Sequence, residues 1–310
     1  MPLPLLTQAR APLTQEIETV NEHGEAGSIS IPAERPLTVY VDKRELVTLM
    51  TLGAQPEWLV LGYLRNQRLV NSVQDIESVT VDWEVGSAAV KTRSGIADIE
   101  ARTSRRVVTT GCGQGSVFGG LMDEIESIAL PDDAAISQAQ LYGILNAIRL
   151  QESTYKSAGS VHGCALFRGD EMLLFVEDVG RHNAIDTIAG WMWLRDVAPT
   201  LAAGAAALPS EGALAPNGGL SALDLAAGEG VPFVFYTTGR LTSEMVIKSA
   251  QMGVPIVVSR SGITQMGHEI AQRLDLCAIG RATNRHFLCY TSPRRLRLQP
   301  ELAGPKLRVA

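Results

Sequence analysis

The sequence predicts a layered α/β protein, and three observations carry that reading. From His162 to Tyr290, apolar strand-like runs alternate with helix-like stretches, the order from which helix-covered sheets are built. Glycine is plentiful at 29 residues, while 45% of residues are hydrophobic, 19% charged and 5% aromatic, a balance that suits glycine turns around a core and excludes fibrous and disordered classes. At 310 residues the chain is long enough for one large domain or two smaller ones.

Residues 1–34 are polar and mixed, show no periodicity, and read as a flexible arm. A smaller α+β part is expected over 35–135. In it Leu37–Val41 and Glu45–Met50 read as strands joined by a turn at Asp42-Lys43-Arg44. Gln55-Pro56-Glu57 opens a helix, with Pro56 at a first-turn position and Trp58, Leu59, Leu61 and Leu64 on neighbouring faces. Ser78–Trp83 and Ala88–Thr92 read as further strands. The next apolar run is broken by Gly111-Cys112-Gly113-Gln114-Gly115-Ser116, a glycine-rich loop. An α/β domain is expected over 136–297. It starts with an amphipathic helix over Ser137–Gln151, where Leu141, Ile144, Leu145 and Ile148 recur at helical spacing. Strands follow at His162–Phe167 and Met172–Val176, then a helix over Asn183–Leu194. After it come Phe233–Thr237, helix 242–251, Ile256–Ser259, helix 264–274, Cys277–Gly280 and Phe287–Tyr290. Residues 198–230, rich in Ala, Gly, Leu and Pro, read as a mobile insertion, and 298–310 as a tail.

The formal net charge of −6 supplies no global field for polyanions, so nucleic acid is not an expected partner; only a local patch near Arg281 and Arg294 would change that. No apolar run has membrane-spanning length and the N-terminus lacks signal-peptide character, so membrane insertion is not expected and the cytoplasm is. The four cysteines show no paired spacing, which predicts reduced thiols. Cys164, Cys277 and Cys289 lie in apolar strand-like text and read as packing residues.

Cys112 differs. It stands between two glycines, so no neighbouring side chain shields the sulfur, and Arg105 and Arg106 can favour its thiolate. A plain tight turn is the simpler alternative. The stretch from Glu177 to Asp186 gathers two acids, Arg181, His182 and Asn183 between a strand and a helix, where α/β sheets bind ligands. Its structural alternative has Asn183 capping the helix, Asp186 near the positive helix end, and Arg181 paired with Glu177 or Asp178. The strand-to-helix turns after Thr237 and Ser259 offer backbone N–H groups beside Gly239, Arg240 and Arg260, which suits a phosphate; capping by Thr242 is the alternative. Gly280–His286 adds Arg281, Arg285 and His286, as an anion clamp or a solvated turn. His162-Gly163-Cys164 carries cysteine where a zinc deaminase needs its Glu, and no P-C-x-x-C follows, so neither deaminase-type hydrolysis nor a structural metal is expected. His268 reads as a surface histidine.

Taken together, Glu34–Val41, Thr109-Thr110-Gly111-Cys112-Gly113, Ser160–Leu166, Glu177–Asp186, Thr238–Met245 and Tyr290–Leu296 resemble, in the same order, the FdhD family of formate dehydrogenase accessory sulfurtransferases. The resemblance spans about residues 34–297 and implies a cytidine-deaminase-like three-layer α/β/α domain with a mixed sheet and a smaller companion, assembled as a homodimer. It also implies a task. The protein would take persulfide sulfur from a cysteine desulfurase and deliver it to the molybdenum cofactor, a bis-molybdopterin guanine dinucleotide, of the formate dehydrogenase catalytic subunit. Cys112 would carry the persulfide, and Arg281, Ala282, Thr283, Asn284, Arg285 and His286 would contact the cofactor, with Gly239 and Arg240 offering donors to its phosphates. The family loop usually reads C-G-x-C, whereas Gly115 stands here in the second cysteine's place, and His286 stands where an arginine is expected. One thiol can still hold a persulfide, but a local disulfide-forming partner is gone. A non-catalytic cofactor chaperone, with Cys112 vestigial, is therefore the alternative.

Overall fold

The computed structural model describes residues 2–96, 125–197 and 230–303. In chain order its elements begin with strands β1 (Leu5–Leu6), β2 (Thr14–Val20), β3 (Ala26–Pro32), β4 (Arg35–Val41) and β5 (Arg44–Thr51), then helix α1 (Pro56–Asn66), β6 (Ile76–Asp82) and β7 (Ser87–Thr92). After these come β8 (Ile136–Ser137), α2 (Gln138–Leu150), α3 (Thr154–Ala158), β9 (His162–Arg168), β10 (Glu171–Asp178) and α4 (Arg181–Val197). The last group is β11 (Phe233–Thr237), α5 (Ser243–Gln251), β12 (Ile256–Ser259), α6 (Gln265–Arg273), β13 (Cys277–Thr283), β14 (His286–Cys289) and β15 (Leu296–Arg297). None of the described helices is long and apolar enough to cross a membrane.

Two compact units emerge. The first contains the described residues 2–96, 152–163 and 176–197. Its five-stranded sheet runs β1-β6-β7-β4-β5, with β4 and β5 joined by the expected turn, where Asp42 and Lys43 both adopt positive φ. Pro56 opens α1 as the sequence predicts, and Leu59, Val60, Leu61 and Leu64 are buried against Leu37, Val39, Leu49, Ile76 and Val79 of the sheet. Against α1 lies α4, and this contact requires glycine on both helices. A Cβ on Gly62 would meet the Asp186 carbonyl oxygen at 1.6 Å, and one on Gly190 would meet the Trp58 carbonyl oxygen at 2.0 Å. The backbones therefore touch, and Arg65 adds a hydrogen bond from Nη1 to the Ala189 carbonyl at 3.1 Å.

Two expectations are corrected here. Residues 14–32, read as part of a flexible arm, form a β2–β3 hairpin paired from Thr14 opposite Pro32 to Val20 opposite Ala26. Asn21 builds its turn by accepting from the backbone N–H groups of His23 and Glu25 at 2.9 and 3.0 Å. Both faces of this hairpin are largely exposed, so the short Ser28-Ile29-Ser30-Ile31 alternation is the one strand signal its sequence offers. The other correction concerns the boundary placed at 135. Residues 152–163 and 176–197 group with the first unit instead of with the domain expected over 136–297; for 176–197 the glycine crossing, which ties α4 to α1, is the reason.

The second unit holds the described residues 125–151, 164–175 and 230–303. Its strands take part in a six-stranded mixed sheet of order β10-β9-β11-β12-β13-β14, in which β11, β12 and β13 are parallel while β9 and β14 run antiparallel to their neighbours. A capping box at Ser137 and Gln140 starts α2, whose Leu141, Ile144 and Leu145 pack on Phe167, Val234, Tyr236, Ile256, Val258 and Ile279. The alternate residues Leu166, Phe235, Val257 and Ala278 point the other way and are also fully buried. Both faces of these strands are thus covered.

Candidate functional site

Cys112 and its glycine loop lie outside the described residues, as does the 198–230 insertion apart from Gly230. The cofactor-facing residues predicted from sequence are described, and all belong to the second unit. They gather at the carboxyl ends of the three parallel strands, where loops after β11, β12 and β13 sit side by side. Side chains at the strand ends join these loops. Thr237 Oγ1 accepts from Gly239 N at 3.1 Å and from the Cys164 thiol at 3.3 Å, while the Thr237 carbonyl accepts from Arg260 N at 3.0 Å. Ser259 Oγ donates to the Gly239 carbonyl at 2.7 Å and accepts from Ser261 N at 2.9 Å. The Ser261 carbonyl then accepts from Arg281 N at 2.7 Å. Only glycine fits at 280, since a Cβ there would stand 2.8 Å from that same carbonyl oxygen and 2.6 Å from the Tyr290 ring.

This stitching sets Arg240 and Arg260, on adjacent loops, beside Arg281 near the end of β13, and all three are exposed. The two helices that follow differ in what they leave open. Thr264 caps α6 conventionally, its Oγ1 accepting from Gly267 N at 3.2 Å, so that helix start is already satisfied. Thr242 occupies the N-cap position of α5 but makes no capping bond, and its buried hydroxyl has no hydrogen-bond partner. The start of α5 thus lacks the side-chain cap that α6 has. Glu244 in that first turn lies 3.4 Å from the Lys248 ammonium, which balances its charge.

Arg281 to His286 occupy the end of β13, a two-residue turn and the start of β14. Arg281 and Asn284 have positive φ, and the pairing shifts register between Gly280 and Thr283, so a bulge carries this hairpin tip. Ala282 is buried; the other five are exposed. Arg285 lines a recess of about 300 Å³ with Asn284 and with Tyr142, Leu145, Asn146 and Arg149 of α2. Tyr142 is fixed there by donating its hydroxyl to the Arg285 carbonyl at 3.1 Å and by an edge contact with Phe287. Arg285 stands apart from the other arginines: Arg240, Arg260 and Arg281 lie together at the strand ends, and Arg285 faces α2. Sequence reasoning missed Tyr142, Asn146 and Arg149. Their spacing at i, i+4 and i+7 was the available signal, a polar stripe on a helix read only for its apolar one.

The Glu177–Asp186 block, within the first unit, is held mainly by structural bonds. Glu177 accepts from the backbone N–H groups of Thr154 and Tyr155 at 2.5 and 3.1 Å, which caps α3. Asp178 is buried and accepts from Thr51 Oγ1, Leu52 N, Gly180 N and Asn183 Nδ2. Burial pushes its carboxyl up to about 6, although all four bonds pull the other way. Asn183 does not cap α4; it lies inside the helix and donates to Asp178 and to the Met50 carbonyl at 2.6 Å. Asp186, fully buried, accepts from Asn66 Nδ2 at 2.7 Å. Arg181 and His182 are buried at the first turn of the helix. Among the described residues no three His, Cys, Asp or Glu side chains are grouped to hold a metal ion.

Comparison with known proteins places the chain in a family. A sulfur carrier protein FdhD from Bacillus subtilis (strain 168) is 28% identical over 278 residues, covering 89% of this chain and 94% of the relative. The protein of the same name from Geobacillus kaustophilus (strain HTA426) is 25% identical over 266 residues, covering 86% and 89%. A crystal structure of a protein from Desulfotalea psychrophila, described as a formate dehydrogenase accessory protein, shares the fold with a TM-score of 0.64 at 21% identity, over 92% of this chain and all of that one. The sequence profile of the FdhD/NarQ family matches residues 32–208 and 222–297, most of the chain, and this protein belongs to that family.

Proposed function

We propose that this chain is a cytoplasmic sulfur carrier, working as a homodimer, which takes sulfur from a cysteine desulfurase and passes it to the bis-molybdopterin guanine dinucleotide cofactor of a formate dehydrogenase. The observation that carries this reading is Cys112, a thiol between two glycines in a chain of the FdhD/NarQ family. In the loading step the Cys112 thiolate attacks the outer sulfur of the desulfurase persulfide. A new S–S bond forms at Cys112, the old one breaks, and the desulfurase leaves with its thiolate restored. The cofactor is the acceptor substrate. Its phosphates suit the exposed arginines at 240, 260 and 281, and the recess at Arg285 and Arg149 offers further cationic lining. The covered mixed sheet of the second unit supports a cytidine-deaminase-like reading of that domain.

Gly115, in the place of a second loop cysteine, favours the chaperone reading, in which the fold delivers cofactor without sulfur chemistry. Co-expression with a formate dehydrogenase that depends on such a carrier separates the two. Cys112→Ala is expected to leave the dehydrogenase inactive while wild type activates it; full activation by Cys112→Ala would establish the chaperone.

A further inference from the structure

Two thiols lie outside the chemistry described so far. Cys277 opens β13 and Cys289 closes β14, and because Ile279 stands opposite Cys289, the two cysteines are diagonal neighbours on one face of the antiparallel pair. Their sulfurs are 3.9 Å apart. Cys277 is fully buried among apolar side chains, whereas Cys289 is half-buried on the outermost strand of the sheet. The Cys289 thiol donates to the Thr291 carbonyl at 3.4 Å, so the proton shared between the sulfurs comes from Cys277. The hydrogen bond between them holds the Cys289 thiol below its ordinary value and raises Cys277, and burial raises Cys277 further.

We propose that Cys277 and Cys289 are a redox-active dithiol that closes into a reversible disulfide by exchange with small-molecule disulfides. Cys289, the accessible sulfur, loses its proton to solvent and attacks one sulfur of the small disulfide; a mixed disulfide forms and one small thiolate leaves. Cys277 then attacks Cys289 Sγ and expels the second small thiolate, to which its proton passes. Two protein thiols are oxidised and one small disulfide is reduced to two thiols, so the exchange balances. Closure to a bond of about 2.05 Å falls to Cys289, because Cys277 is fixed in the core. Diagonal strand neighbours have Cα atoms roughly 7–8 Å apart, wider than relaxed disulfides span, so the bond would be strained and readily reopened by thiols. It would pin the base of the hairpin that carries Arg281 to His286, whatever that hairpin binds.

The test uses the full chain, reduced and then equilibrated with oxidised glutathione, with free thiols blocked before digestion and peptide mass spectrometry. Loss of both thiols together is expected, recovered as one Cys277–Cys289 linked peptide that dithiothreitol reverses. Cys289→Ser removes the link, and Cys277→Ala stops at the mixed disulfide, with one glutathionyl group on Cys289. Should Cys277→Ala fail to fold, reduced native wild type decides through the order of alkylation, with Cys289 modified before Cys277. Linkage of Cys289 to Cys112 or Cys164, both thiols remaining reduced, or Cys277 reacting first would each overturn the proposal.

Discussion

Burial and hydrogen bonding pull the Asp178 carboxyl in opposite directions, and burial prevails, leaving it at about 6 against an ordinary 3.8. Its folded value is raised, so the stability it contributes is fully present below pH 4 and is lost as pH rises through about 6. Asp178→Asn, which cannot ionise, should remove that dependence. In urea unfolding, the stability of wild type relative to Asp178→Asn is expected to fall by roughly 2 kcal/mol between pH 4 and pH 7; a difference that stays constant with pH would contradict the account. Only part of this residue's environment was legible in the sequence. The ten-residue block announced a polar cluster at a strand end, but Thr51, Leu52 and Met50 are its partners from more than a hundred positions away. Asn183 looked like a cap because local text offers a cap as its nearest use, and a tertiary acceptor took the side chain instead.

At the scale of elements, α5 and α6 begin alike in sequence, with a Thr before the first turn, yet Thr264 caps its helix and Thr242 does not. On the proposed function, the phosphates fall to Arg240 beside α5 and to the hairpin of β13 and β14. GDP is expected to bind more tightly than ADP, and Arg281→Ala and Arg285→Ala to lose roughly ten- to a hundred-fold in affinity, the scale of about 1.5–3 kcal/mol for a charged hydrogen bond. Calorimetric titration checks this. Equal binding of GDP and ADP, or variants that bind like wild type, would remove the nucleotide assignment. The strands of the six-stranded sheet were readable because both their faces are buried, which writes continuous apolar runs into β9, β11, β12 and the start of β13. The exposed β2–β3 hairpin carries no such mark.

At the scale of the molecule, the order of elements was accessible from periodicity, but the grouping into units was not. That grouping turns on Gly62 and Gly190, far apart in sequence, whose missing side chains let α1 and α4 touch backbone to backbone. No periodicity announces such a pair, since a lone helical glycine reads only as a weak position. What the whole chain is for rests on Cys112 and the family to which it belongs. Intact-mass spectrometry after incubation with a cysteine desulfurase and cysteine tests that claim most directly. Wild type is expected to gain about 32 Da for each sulfur atom carried, with the label mapped to Cys112, and Cys112→Ala to gain nothing. A wild-type mass that does not change, or the same gain in Cys112→Ala, would contradict the assignment of Cys112 as the sulfur carrier.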